Sequence, residues 1–72
     1  MKPKAQFDGA RILEDAALKG WTVNELSKRA KLADATTAKF LDGRVQTAKS
    51  AHKLAAALGH SVRRYFVGVV AA

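Results

Sequence analysis

The stretch Thr22-Val-Asn-Glu-Leu-Ser-Lys-Arg-Ala-Lys-Leu-Ala-Asp-Ala-Thr-Thr-Ala-Lys-Phe-Leu-Asp-Gly43 decides the architecture. Thr22 is placed to accept from a first-turn amide while Glu25 reaches back, the reciprocal pattern of a capping box, so a helix starts there. Leu26, Arg29 and Ala30 follow at helical spacing with Lys28 on the opposite side, and Leu32 arrives after the chain has turned near Lys31. A second helix is expected from Asp34, a carboxylate suited to an N-cap and to the positive end of a helix, as far as Gly43, which takes the left-handed conformation of a C-cap. Phe40 and Leu41 face inward on it. That leaves Ala35, Thr36 and Lys39 outward, small and polar with one cation.

Outward from this pair, the flanks read as further helices. Asp8 can cap one running to Lys19, with Ile12, Leu13, Ala16 and Ala17 as an apolar stripe beside Arg11, Glu14 and Asp15, and Gly20 ends it. Trp21 is expected to pack in the core rather than to stack on nucleic acid. Thr47 caps another, with Ala48, Ala51, Leu54, Ala55 and Leu58 leading to Gly59. Ser61 can cap a short last helix from Val62 to about Phe66.

Charge points to the partner. Thirteen Lys and Arg against six Asp and Glu give the 72 residues a net charge of +7, which favours a polyanion. No carboxylate side chain occurs after Asp42. Two short helices joined by a tight turn, in so basic a chain, are the signature of a helix-turn-helix that reads double-stranded DNA in the major groove.

The residues Trp21-Thr22, Glu25-Leu26, Leu32, Thr36, Phe40, Gly43, Leu54-Ala55, Ala57-Leu58-Gly59 and Ser61 carry a resemblance to the Cro and phage-repressor (Xre) family of DNA-binding regulators, over about Ile12 to Phe66. The resemblance implies an all-α, compact five-helix lambda-repressor-like domain spanning 1–72, with the helix-turn-helix at about 22–43 and the helix over 34–42 in the groove. Val23 stands where such repressors usually carry Gln, Lys31 at the turn position usually taken by Gly, and Ala33, Thr37 and Leu41 where Ser, Ile and Glu are common. Lys31 must therefore adopt a positive backbone angle or reshape the turn.

On this reading Asp34, Ala35, Thr36 and Lys39 face base edges. Thr22, Val23 and Asn24 set a helix N-terminus against one phosphate, and Arg44, Gln46, Thr47 and Lys49 hold flanking phosphates. The function expected is that of a sequence-specific transcriptional regulator, a repressor or switch protein of a phage, mobile element, restriction or toxin-antitoxin system. The alternative is an antiactivator or antitoxin module that keeps the fold and binds a regulatory protein.

Catalysis is not expected. His52 and His60 are eight apart on different elements with no Cys beside them, and the five Gly are spread as helix stops and form no phosphate loop. No metal or cofactor is implied. Without cysteine the chain has no disulfide framework, and without a long apolar run or signal region it reads as cytoplasmic, with no membrane contact.

The tail over 65–72 is almost wholly apolar, so something should cover it. Tyr65, Phe66, Val67, Val69 and Val70 are the residues expected to make a homodimer on a palindromic or pseudo-palindromic operator, by packing of the last helix or by strand pairing across a two-fold axis; the alternative is that Tyr65 and Phe66 fold back onto the first and fourth helices while the last residues fray.

Overall fold

The computed structural model describes residues 3–71, with side chains over 5–69. In chain order they form β1 (Pro3–Phe7), α1 (Gly9–Leu18), α2 (Val23–Ala30), α3 (Asp34–Leu41), α4 (Ala48–Leu58), a single 3-10 turn (Val62–Arg64) and β2 (Phe66–Ala71). The five-helix, all-α expectation is thereby corrected. Four helices sit beside a two-stranded antiparallel sheet made from the two ends of the described chain.

The fifth helix fails for a local reason. Ser61 does cap it, accepting from Arg63 N–H, but Phe66-Val-Gly-Val-Val is a β-branched run with a glycine, which favours a pleated strand over a second helical turn. Pro3 pairs opposite Ala71, Lys4 opposite Val70, Ala5 opposite Val69, Gln6 opposite Gly68 and Phe7 opposite Phe66, so Val67 is the extra residue of a β-bulge. The apolar tail therefore finds its strand partner within its own chain. The strand β1 was not expected at all.

The helices begin where their caps are. Asp8 accepts from Arg11 N–H, Thr22 from Glu25 N–H and Thr47 from Ser50 N–H. Glu25 does not complete the capping box: its carboxylate pairs at 3.1 Å with Arg29, one turn on. Lys31 takes the left-handed conformation at φ 58°, the only described non-glycine residue that does so. The turn keeps its shape, at the cost of an ordinary side chain in a glycine-favoured region.

Ile12, Ala16, Leu26, Ala30, Phe40, Ala51, Leu54, Ala55, Leu58 and Tyr65 join Phe7 in one buried cluster, against which Trp21, Leu32 and Leu41 pack from its edge. Two of the buried polar side chains are satisfied by the backbone one turn back, Ser27 donating to the Val23 carbonyl and Thr37 to the Ala33 carbonyl. That bond lets Thr37 occupy an inward position. No helix among the described residues is long and apolar enough to cross a membrane.

Gly9 is not a helix stop. It is the first residue of α1, and a Cβ there would lie 2.5 Å from the Leu41 carbonyl oxygen and 2.9 Å from Leu41 Cα, so α1 can approach the end of α3 only without a side chain.

Candidate nucleic-acid interface

The exposed face of α3 is the centre of the site. Asp34, Ala35, Thr36 and Lys39 are all exposed, whereas Thr37 and Phe40 point into the core and Leu41 packs at its edge. Eight residues at 1.5 Å rise make a rod of about 12 Å, comparable with the width of a B-DNA major groove.

Asp34 is not the cap of α3. Ala33 occupies that position with no side-chain hydrogen bond, and Asp34 is the first helical residue, where its Oδ2 accepts from Asn24 Nδ2 at 2.8 Å. This bond ties the first turn of α2 to the first turn of α3. It commits one carboxylate oxygen and the Asn24 amide to each other, leaving Oδ1 of the exposed Asp34 as an acceptor. Thr22 is exposed with its hydroxyl engaged by Glu25 N–H, and Val23 is half-buried.

The phosphate-binding residues expected after α3 divide. Arg44 and Lys49 are exposed, with Arg44 pairing at 2.8 Å with the exposed Asp42, a contact that solvent and salt weaken. Thr47 is exposed with its hydroxyl turned to Ser50. Gln46 is buried, and it is removed from the phosphate-binding set: Oε1 accepts from Phe7 N–H, and Nε2 donates to the carbonyls of Phe7 and Phe40, each at 2.9 Å. Both amide protons are spent inside the fold. Its position in a polar loop gives no hint of this, because the partner peptide is 39 residues away.

Among the described residues Lys28, Lys31, Lys39, Lys49, Lys53 and Arg63 stand in no ion pair, so the positive charge around α2, α3 and α4 is largely uncancelled. Arg64 is committed to the interior instead. Its guanidinium holds the buried Asp15 at 2.9 and 3.2 Å, and the Tyr65 hydroxyl donates to the same carboxylate. Arg64 first and Tyr65 second hold the Asp15 carboxyl well below the usual carboxylate range, against the opposing effect of burial. Burial and that hydrogen bond push the Tyr65 hydroxyl up to about 12.

Tyr65 is therefore a core residue, and its expected place in a dimer contact is corrected. Phe66, Val67 and Val69 are exposed at 47%, 62% and 61%, and the Phe66 ring meets Phe7 edge-on at 5.8 Å. The side chain expected at Val70 lies outside the described residues. Trp21 packs half-buried as expected, with the Arg29 guanidinium 4.3 Å from its ring centre. His52 is exposed, and the His60 and Tyr65 rings form a T-shaped pair with centres 6.3 Å apart. Among the described residues there is no pocket and no cluster of three metal-ligating side chains. No family model, curated protein or solved structure matches the chain.

Proposed function

We propose that this chain is a sequence-specific DNA-binding transcriptional regulator of the Cro-repressor kind, acting in the cytoplasm, with α3 in the major groove. The observation that carries the reading is the outer face of α3: Ala35, Thr36 and Lys39 are exposed together, with two small residues that allow close approach, and Lys31 before the helix and Lys49 after it stand in no ion pair. Lys39 donates to guanine O6 and N7, Ala35 or the Thr36 methyl packs on a thymine methyl, and Asp34 Oδ1 accepts from a cytosine amine. The amides at the start of α2, near Thr22, Val23 and Asn24, meet one phosphate, and Arg44, Thr47 and Lys49 meet the next.

A second copy completes the reader. The exposed Phe66, Val67 and Val69 side chains pack on their equivalents across a two-fold axis, so that two α3 helices engage two half-sites of a palindromic operator. The same apolar ribbon favours the alternative, a regulatory module that binds another protein.

The test is a salt titration of binding to a duplex selected from a randomised pool, against a scrambled duplex of equal composition. Separation of the two curves at every salt concentration is expected. Coincident curves leave only bulk electrostatics and overturn the reading.

A further inference from the structure

The last turn of α3 is gripped from outside the helix-turn-helix. The Gln46 carboxamide lies against the Phe7 peptide as a neighbouring strand would, accepting from its N–H and donating to its carbonyl, while the second amide proton goes to the Phe40 carbonyl. The Phe7 ring stacks on Phe40 with centres 5.7 Å apart. Two residues on, Gly9 lets α1 back directly onto Leu41. Phe7 is also the residue at which the terminal ribbon meets the helices, paired with Phe66. At its other end α3 has no side-chain cap and is held by the Asn24 to Asp34 bond.

We infer that Gln46 is a positioning residue for DNA reading: with Phe7 it sets the tilt of α3 against the terminal ribbon, so that loosening the ribbon blurs what Ala35, Thr36 and Lys39 read. The inference rests on the DNA reading above. Its physical basis is a difference in tolerance. A base-edge contact needs its groups held to about 0.5 Å, whereas a lysine on a flexible stem still finds a phosphate after a larger shift. Loss of the clamp therefore costs discrimination between duplexes more than total affinity.

The experiment compares wild type, Gln46→Ala, Phe7→Leu and Tyr65→Phe at a temperature where circular dichroism shows each folded. Tyr65→Phe is the control for lost stability, since it breaks the Asp15 bond and touches none of the hydrogen bonds among Gln46, Phe7 and Phe40. Two quantities are read: the ratio of affinities for the selected and scrambled duplexes, and hydrogen exchange at the Asp42, Gly43 and Arg44 amides that close the last turn of α3 onto Ala38, Phe40 and Lys39. Gln46→Ala is expected to lower the ratio about tenfold, the scale of one lost base contact, and to speed exchange selectively at those amides. Phe7→Leu, which keeps the backbone bonds and removes the ring stack, is expected to move both in the same direction, and it carries the test if Gln46→Ala does not fold. A folded variant with the wild-type ratio and wild-type exchange overturns the inference. So does an equal drop in ratio for Tyr65→Phe. If the wild-type protein does not distinguish the duplexes, the DNA reading is what has failed, and the exchange data still decide whether the clamp holds α3.

Discussion

The hydroxyl of Tyr65 donates a 2.6 Å hydrogen bond to the carboxylate of Asp15, fifty residues earlier in the chain, inside the packed interior. Arg64 closes the other side of the same carboxylate.

Stability should consequently fall at both ends of the pH scale. The folded Asp15 pKa is depressed, so its contribution is fully present above the unfolded value of about 4 and is lost as pH drops below it. The folded Tyr65 pKa is raised to about 12, so its contribution is present below the unfolded value of about 10 and is lost as pH climbs between the two. Thermal melts from pH 2 to 12 should trace a plateau with two shoulders. Tyr65→Phe should remove the Tyr65 contribution to the alkaline shoulder and lower stability by about 1.5–3 kcal/mol, the range for a hydrogen bond to a charged group. A variant melting like wild type at neutral pH would show the bond to be energetically idle.

Gly9→Ala should destabilise, against the ordinary helical preference. Alanine gains up to about 1 kcal/mol in a helix interior, but the new Cβ would overlap Leu41 backbone that is fixed in α3, and overpacking of this kind costs about 1–3 kcal/mol. Chemical denaturation measures the balance. A net gain in stability would mean that α1 and α3 slide apart freely.

Lys39→Ala and Arg44→Ala should separate specificity from affinity. The first is expected to lose about 1–3 kcal/mol on the selected duplex and much less on a scrambled one, because a base contact carries sequence information. The second is expected to weaken both alike and to lower the salt slope by about one unit if it neutralises one phosphate. The Asp42 partner of Arg44 blunts this effect, since the arginine leaves one carboxylate to meet DNA. Equal losses for Lys39→Ala on both duplexes would make it a phosphate contact.

The ribbon is tested without truncation, because deleting β2 would strip β1 of its partner. Val67→Thr with Val69→Thr keeps the β-branched shape and makes the exposed face polar. Sedimentation should show a dimer for wild type and a monomer for the double variant, with unchanged circular dichroism and steeply weaker binding to a two-half-site duplex. A wild-type protein that stays monomeric at high concentration would overturn the dimer.

The helices were legible because their signals are local. Asp8, Thr22 and Thr47 cap where expected, Gly20, Gly43 and Gly59 take positive φ after the apolar periods end, and Lys31 turns left-handed, the first of the two outcomes the resemblance implied for it. The outward face of α3 followed from the same periodicity. The tail was legible as a strand only as one of two ways to make a dimer, and β1 was not legible, since a five-residue segment has no local sign that it pairs with a segment some sixty residues on. Gln46 and Asp15 were misplaced for the same cause. Each belongs to a residue type usually found in water, and each is buried because distant groups satisfy it.

The pairing of Pro3 with Ala71 also bears on the order in which the chain is built. At ~5–20 residues per second, several seconds of synthesis separate β1 from the strand that completes it, whereas helices form within microseconds. During that interval α1 to α4 can assemble while the first strand made still has one edge waiting. Of the described elements, β1 is thus made first and secured last.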